Sequence, residues 1–129
     1  MTKRNEPRDP VNHPSHYTSA RFPFECIELT SRMDFCTGNM VKYVWRHLDK
    51  GKPLEDLKKA RFYLNYKLGY THGRIVWAVS PDMHDKLHAL ADPSNHYDYQ
   101  PFWSALFDWD VKALRNWLDY EIALLEAYQ

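Results

Sequence analysis

The chain has 129 residues, which is the length of one domain, and its 17 basic and 17 acidic side chains cancel, so its net charge favours no class of charged partner. Its two cysteines are too few for a disulfide framework, no apolar run approaches the roughly 20 residues that a membrane-spanning helix needs, and the N-terminus lacks the apolar core of a signal peptide. These features favour a cytoplasmic protein with reduced thiols, and no membrane partner is expected.

The N-terminal part is predicted to be irregular. Residues 1–10 are charged and poor in apolar side chains, as in a flexible arm, and residues 11–129 are predicted to form a single α-helical domain. Three prolines between residues 10 and 24 favour extended or turned backbone. The segment at 12–18, NHPSHYT, is dense in side chains that hydrogen-bond, and a short helix is predicted to follow over residues 26–32.

Two helices joined by a turn are predicted in the middle of the chain. Asp34 is a typical N-cap for a helix that ends near residue 48. Gly51 favours a turn, and Pro53 suits the first turn of a second helix, predicted over residues 54–68. The apolar stripe of the first helix recurs at helical spacing and consists of Met40, Val41, Val44, Trp45 and Leu48.

The C-terminal half contains weaker patterns and one strong one. Residues 69–73 break the chain, residues 74–79 fit a strand or a buried turn of helix, residues 82–90 predict a short helix, and residues 92–100 predict a polar loop. Residues 108–128 predict a long amphipathic helix whose apolar positions are Val111, Leu114, Leu118, Ile122 and Leu125. The fold class is therefore mainly α, with a helical hairpin core, an irregular N-terminal loop and a long C-terminal amphipathic helix.

The charges are distributed unevenly along the neutral chain. Residues 37–70 contain eight Lys or Arg and three Asp or Glu, whereas residues 97–129 contain two basic and six acidic side chains. A basic segment and an acidic one predict either a local anion site or head-to-tail self-association.

The first helix of the hairpin carries the strongest functional pattern. Lys42 and Arg46 are four residues apart and project from one side, with Asn39 one turn earlier. A guanidinium fork and an ammonium converging from one direction are what a phosphate needs, and Tyr43 offers a face to a base. The alternative interpretation is a solvated basic face, which is common on helix surfaces.

The second helix places two charged side chains where they can meet that face. If the helices form a hairpin, Asp56 would hold Arg46 or Lys42 in place, or carry a Mg²⁺ ion through water, and Lys59 lies on the same side. The alternative interpretation is an ordinary surface salt bridge.

The histidines of the N-terminal segment do not predict a metal site. His13 and His16 lack the four-ligand spacing of structural zinc, so they and Tyr17 are expected to order the loop or to bind a phosphate or sugar hydroxyl. The sequence also contains no glycine-rich phosphate loop and no nucleophile elbow of the GxSxG type. A nucleotide would therefore have to be bound by side chains on helices.

Four ordered motifs carry a resemblance to a known family. They are NHPSHY at 12–17, ECI at 25–27, GNMVKYVWR at 38–46 and DLKKARFYL at 56–64. Together they resemble the small phage-encoded SaV-like family, one member of which, from a podophage early region, is a nucleotide kinase acting on deoxynucleoside monophosphates. The resemblance covers residues 11–68.

The resemblance implies a function and a set of site residues. It implies a phage protein of the host-cell cytoplasm that resembles a (deoxy)nucleoside monophosphate kinase, uses ATP, and binds the nucleotide with or without Mg²⁺. A homo-oligomer is predicted separately, from the wide apolar face of the long C-terminal helix, part of which a hairpin core alone would leave uncovered. The expected catalytic residues are Lys42, Arg46 and Asp56. The expected ligand-binding residues are His13, His16, Tyr17, Asn39, Tyr43, Lys59 and Tyr63.

Other functions remain open from the sequence. The same residues would serve a protein that only binds nucleotides and sequesters a host defence signal. The acidic C-terminal part would serve an interaction module anchored by Trp103, Trp109 and Trp117, although packing in the core is the simpler prediction for these three. A MazG-like pyrophosphohydrolase would need more acidic side chains on the core helices, and nucleic-acid binding is not expected because no groove-reading motif is present.

Overall fold

The computed structural model describes residues 21–49, 51–71 and 80–128. Within these ranges the chain contains helices and no strand, which confirms the predicted fold class. The predicted N-terminal arm, the loop that carries His13, His16 and Tyr17, and the strand or helical turn predicted at 74–79 lie outside the described residues. The helices are α1 (Cys26–Thr30), α2 (Phe35–Arg46), α3 (Pro53–Thr71), α4 (Pro81–Ala91), α5 (Gln100–Asp108) and α6 (Val111–Ala127), with a 3₁₀ turn at Pro93–Asn95.

Helix α2 begins where the sequence predicts. The carboxylate of Asp34 accepts a hydrogen bond from the backbone N–H of Thr37 at 3.0 Å, which satisfies one of the free donors of the first turn. The helix ends at Arg46, two residues earlier than predicted. Its buried apolar residues include Met40, Val41, Val44 and Trp45, so the predicted stripe faces the core and only Leu48 remains exposed.

Helices α2 and α3 form the predicted hairpin and pack against each other more extensively than any other pair. The connection contains Gly51 at φ 74°, a left-handed conformation that glycine adopts at no steric cost, and α3 begins at Pro53. At the other end of the hairpin, the fully buried Lys67 donates to the Asp34 carboxylate at 2.6 Å. This ion pair joins the start of α2 to the last part of α3.

The remaining helices pack against the hairpin and against one another. Helix α4 packs on α5, and α6 packs on α3 and α5 through Leu114, Leu118 and Ile122. Helix α5 was not predicted, and it begins and ends next to residues with positive φ, Tyr99 at 62° and Trp109 at 49°. Within the described ranges, no helix is both long and apolar enough to cross a membrane.

The three tryptophans of the C-terminal part belong to the core. Trp103 is fully buried, and its indole Nε1–H donates to the carbonyl oxygen of Asp98 at 2.8 Å. Trp109 and Trp117 are half-buried and pack against the hydrophobic cluster. The simpler prediction for these residues, core packing, is thereby confirmed.

Candidate functional site

The candidate site lies on one side of the α2–α3 hairpin. Residues three or four apart on a helix project from one side, and the hairpin brings two such rows together. Helix α2 contributes Asn39, Lys42, Tyr43 and Arg46, and α3 contributes Asp56, Lys59 and Tyr63. Ring and ion-pair contacts join six of these seven across the two helices, Asn39 being the exception.

The half-buried ring of Tyr43 is the centre of the arrangement. Lys42 Nζ lies 4.6 Å from the ring centroid, Arg46 Cζ lies 5.0 Å from it, and Lys59 Nζ lies 5.4 Å from it. Each contact is within the range of a cation–π interaction, which contributes about 0.5–1 kcal/mol at exposed positions. We call Lys42, Arg46 and Lys59 the cation cluster. It gathers three positive charges from two helices around one ring.

Arg46 is held in the cluster by a buried carboxylate. Its Nη2 lies 3.4 Å from Asp56 Oδ1, and the side chain of Asp56 is only 1% exposed. The other oxygen, Oδ2, is buried and accepts no hydrogen bond from the residues that the structure describes. In this position Asp56 orients and partly neutralises Arg46, and its carboxylate faces away from solvent.

The two lysines of the cluster differ in their partners. Lys59 Nζ donates to Glu55 Oε2 at 3.2 Å, one turn earlier on α3, and this hydrogen bond raises the pKa of Lys59 and lowers the pKa of Glu55. Lys42 has no carboxylate within ion-pair distance among the described residues. Among the residues that the structure describes, three cations are thus accompanied by two carboxylates, which leaves an excess of positive charge in this part of the site.

Aromatic faces adjoin the cation cluster. The rings of Tyr43 and Tyr63 are nearly parallel, at 7° with centroids 6.1 Å apart. Phe35, which is 72% exposed, lies edge-on to Tyr63 with the two ring centroids 5.8 Å apart. The ring centroid of the exposed Phe62 lies 5.2 Å from that of Tyr63. Charge and exposed aromatic surface therefore lie side by side.

The other predicted site residues do not add to this cluster. The side-chain amide of Asn39 donates to the carbonyl oxygen of Phe35 at 2.8 Å, within its own helix, and no described hydrogen bond joins it to Lys42 or Arg46. His13, His16 and Tyr17 lie outside the described residues, so their predicted role stays a prediction.

A second group of polar side chains, which sequence reasoning missed, lies beyond Arg46. The guanidinium of Arg21 donates to Asp49 Oδ1 at 2.7 Å and to Asp98 Oδ2 at 2.8 Å. These two hydrogen bonds raise the pKa of Arg21. Asp49 follows α2 and Asp98 precedes α5, so Arg21 connects two parts of the chain that are distant in sequence.

His47 and Tyr99 complete this second group. His47 is buried, its Nδ1 lies 2.6 Å from the carbonyl oxygen of Val44, and its ring centroid is 4.7 Å from that of Tyr99. Burial lowers the pKa of His47 and raises the pKa of Tyr99. The Tyr99 hydroxyl is buried and forms no hydrogen bond with the described residues. No motif marks these residues, because they meet only after the chain has folded.

The arrangement brings together the chemical groups that anion binding beside an aromatic surface requires. An arginine fork and ammonium groups bind phosphate, and exposed rings stack on a planar group. Within residues 21–49, 51–71 and 80–128, no group of three or more His, Cys, Asp or Glu side chains is arranged to hold a metal ion.

Comparison with known families gives a match for the N-terminal half of the chain alone. Residues 11–65 match the model of a protein family of unknown function, DUF3310. No curated protein and no solved structure matches the chain. The match to DUF3310 includes the cation cluster, Tyr43 and Tyr63, and it ends before α4, α5 and α6.

Proposed function

We propose that the chain binds a nucleotide on the α2–α3 hairpin. The observation that carries the proposal is the convergence of three cationic groups within 5.4 Å of one tyrosine ring. Like charges on flexible side chains repel one another, and a phosphate group between them would relieve that repulsion. Within this arrangement Lys42, which lacks a carboxylate partner among the described residues, is the side chain most available to a ligand.

The aromatic surface accounts for the rest of the ligand. A base that stacks on an aromatic side chain gains about 1–3 kcal/mol. Tyr63 and Phe35 present such a surface next to the cation cluster. We infer that the phosphate contacts Lys42 and Arg46 while the base stacks on this surface.

The reaction that we propose is phosphoryl transfer to a deoxynucleoside monophosphate, as the resemblance to a phage kinase implies. A phosphate oxygen of the monophosphate attacks the γ-phosphorus of ATP, the bond from that phosphorus to the β–γ bridging oxygen breaks, and ADP leaves. Such a transfer depends on positioning and on cations around the phosphates, which Lys42, Arg46 and Lys59 would supply. Asp56 would act through Arg46, as a positioning residue.

One observation favours a second candidate function, binding without turnover. A kinase commonly holds Mg²⁺ with carboxylates near the phosphates. The two carboxylates at the cation cluster are each paired with a cation: Asp56 is buried against Arg46 and faces away from solvent, and Glu55 is paired with Lys59. A phage protein that sequesters a nucleotide signal of host defence would need the cations and the aromatic surface alone.

Isothermal titration of the full chain with a panel of deoxynucleoside monophosphates, with and without Mg²⁺, tests the binding proposal. Lys42→Ala is expected to weaken the affinity about tenfold, which is about 1.4 kcal/mol. Lys112→Ala, which removes an exposed lysine of α6, is the matched control and should bind as the unchanged chain does. Equal affinity of the two variants would contradict the proposed site.

Turnover is measured separately, as ADP formed from ATP in the presence of each monophosphate that binds. ADP formation that Lys42→Ala reduces supports the kinase. Recovery of the bound nucleotide unchanged, with no ADP formed, supports sequestration.

We also propose that the chain self-associates through the outer surface of α3. Phe62, Tyr66 and Tyr70 follow one another at four-residue spacing and are all exposed, with neighbouring ring centroids 6.1 and 5.8 Å apart. A contiguous exposed apolar patch of this kind is typical of an interaction surface. The apolar side of α6, from which self-association was predicted, is instead covered by α3 and α5.

A further inference from the structure

Two histidines on α4 form a pair that the proposed nucleotide site does not use. His84 and His88 are four residues apart, so their side chains project from the same side of the helix. Their rings are close to parallel, at 17°, with centroids 6.3 Å apart, and both residues are exposed. Their ring nitrogens are therefore open to a ligand from solution.

A phenylalanine of α5 supports both rings. The centroid of Phe107 lies 5.2 Å from that of His84 and 5.7 Å from that of His88. Phe107 is half-buried and packs against the core, so it provides a fixed surface behind two exposed side chains. Contact with a fixed ring restricts the rotamers of both histidines, which reduces the entropy lost when a ligand joins them.

Carboxylates surround the histidine pair. Asp85 Oδ1 lies 3.6 Å from His84 Nδ1, and Asp92 caps the C-terminal end of α4 next to His88. The two cations near this part of α4 both lie beside Asp82, Lys86 at 2.7 Å and Arg32 at 3.9 Å, so Asp82 offsets part of their charge. The local excess of negative charge favours a cation, and a carboxylate near the second ring nitrogen orients a ligating imidazole.

We propose that His84 and His88 bind a divalent transition-metal ion, of the class of Zn²⁺, Ni²⁺ and Cu²⁺, as a two-imidazole clip. With metal–nitrogen bonds of about 2.0–2.1 Å and each nitrogen about 1.2 Å from its ring centre, a tetrahedral ion holds the two ring centroids roughly 5.4 Å apart. The observed separation of 6.3 Å is longer than this, so binding requires side-chain rotations that bring the two rings closer together.

The clip supplies two protein ligands and leaves the other positions open. Among the described residues, no third His, Cys, Asp or Glu completes a metal-binding group here. Water or a small anion therefore fills the remaining coordination positions of the metal ion, and an ion held by so few protein ligands exchanges with solution. Imidazole nitrogens suit Zn²⁺, Ni²⁺ and Cu²⁺, whereas Mg²⁺ and Ca²⁺ prefer oxygen ligands, so the clip selects the first class.

The test is a calorimetric titration of the full chain, without a histidine tag, with NiCl₂ at pH 7.5. We expect saturable binding that His84→Ala and His88→Ala each weaken at least tenfold. His96→Asn, which changes an exposed histidine outside α4, should leave the affinity unchanged, and MgCl₂ should give no binding that depends on His84 or His88. Because protons compete with the metal for the ring nitrogens, Ni²⁺ binding should weaken at pH 5.5.

Nuclear magnetic resonance locates the ion independently of affinity. Paramagnetic Ni²⁺ should broaden the amide signals of residues 81–92 first, and this broadening should be lost in the double variant His84→Ala/His88→Ala. Circular dichroism of each variant reports whether α4 is intact. Ni²⁺ binding that stays as tight in the folded double variant, or broadening centred elsewhere in the chain, would overturn the proposal.

Discussion

Lys67 illustrates how a single residue can determine the geometry of the site. Its ammonium is fully buried and lies 2.6 Å from Asp34, whose carboxylate also caps α2 through Thr37. A buried charge is tolerated only when it is paired, because desolvation of an ion is costly. The pair thus fixes the start of α2 against α3 and sets the relation between the two rows of site residues.

Removing one member of this buried pair is expected to destabilise the chain more than removing one member of an exposed pair. Lys67→Ala leaves Asp34 without its ion-pair partner and should lower the free energy of unfolding by about 2–3 kcal/mol, less than for a fully buried pair because Asp34 keeps some solvent. Urea denaturation measures the change. Lys59→Ala breaks an exposed pair on the same helix and should lower the free energy of unfolding much less, because solvent screens that pair. Equal losses for the two variants would contradict a structural role for Lys67.

The buried His47 makes stability depend on pH. Burial lowers its pKa, the hydrogen bond to Val44 acts in the opposite direction, and the net shift is downward. In the unfolded chain His47 is protonated near pH 6.5, the ordinary pKa of histidine, whereas in the folded chain it is protonated only at lower pH. Folding is therefore favoured above about pH 6.5, and this contribution is lost as the pH falls toward the pKa of the folded state.

The expected result is a lower free energy of unfolding at pH 5.5 than at pH 7.5, from urea denaturation at both values. His47→Asn keeps a side-chain donor near the Val44 carbonyl but cannot titrate, so the difference between the two pH values should shrink. His96→Asn alters an exposed histidine and should leave the difference as it was. An unchanged pH dependence in His47→Asn would show that other groups cause it.

At the scale of helices, the sequence patterns predicted the amphipathic helices, which have one apolar and one polar side. Helices α2 and α6 have a clear apolar stripe, and the N-cap Asp34 of α2 and the first residue Pro53 of α3 lie where the residue types predict. Helix α5 was missed because it is only nine residues long: Phe102, Trp103, Ala105 and Leu106 are buried on one side of it, but they extend over little more than one turn. So short an apolar run does not by itself distinguish a helix from a strand or a buried loop.

The same reasoning explains which part of the site could be predicted. Lys42 and Arg46 share a face by spacing alone, and the hairpin turn then brings Asp56 to Arg46. The contacts of Arg21 with Asp49 and Asp98 span 28 and 77 positions, and no local pattern encodes such separations. Side chains that meet through tertiary packing are therefore the ones that sequence reasoning left out.

Two glycines of the hairpin should respond in opposite ways to alanine. Gly69 lies in α3 with nothing within 4 Å of where a Cβ would be, so Gly69→Ala should stabilise the chain by about 0.5 kcal/mol, a low value because α3 ends nearby. Gly51 has φ 74°, so Gly51→Ala should destabilise it by about 1 kcal/mol. Thermal or urea denaturation measures the sign of each change in stability, and a destabilised Gly69→Ala would contradict the open space found around this position.

At the scale of the whole molecule, the uneven charge distribution has an internal explanation. The basic α3 lies beside the acidic α6, with Lys58 3.3 Å from Glu126 and Arg61 3.1 Å from Asp119. These exposed pairs each contribute less than about 1 kcal/mol, yet they neutralise much of the opposite charge within one chain. Head-to-tail association driven by charge is therefore less favoured than the sequence suggested, and the cation cluster keeps charge that α6 does not neutralise.

The proposed self-association through the outer surface of α3 predicts an oligomer that is held together by apolar contacts and not by charged ones. In sedimentation velocity the unchanged chain should sediment as an oligomer, and Tyr66→Ser, in the middle of the aromatic row, should shift it toward the monomer. Tyr120→Ser removes an exposed tyrosine of α6 and should leave the distribution unchanged.

Contacts between charged surfaces weaken at high salt because screening shortens their range, whereas apolar contacts persist. The oligomer should therefore survive 0.5 M NaCl, about the ionic strength at which the screening length falls to a few ångströms. A monomeric unchanged chain, or an oligomer that salt dissolves and Tyr66→Ser does not, would show that the aromatic row of α3 is not the contact surface.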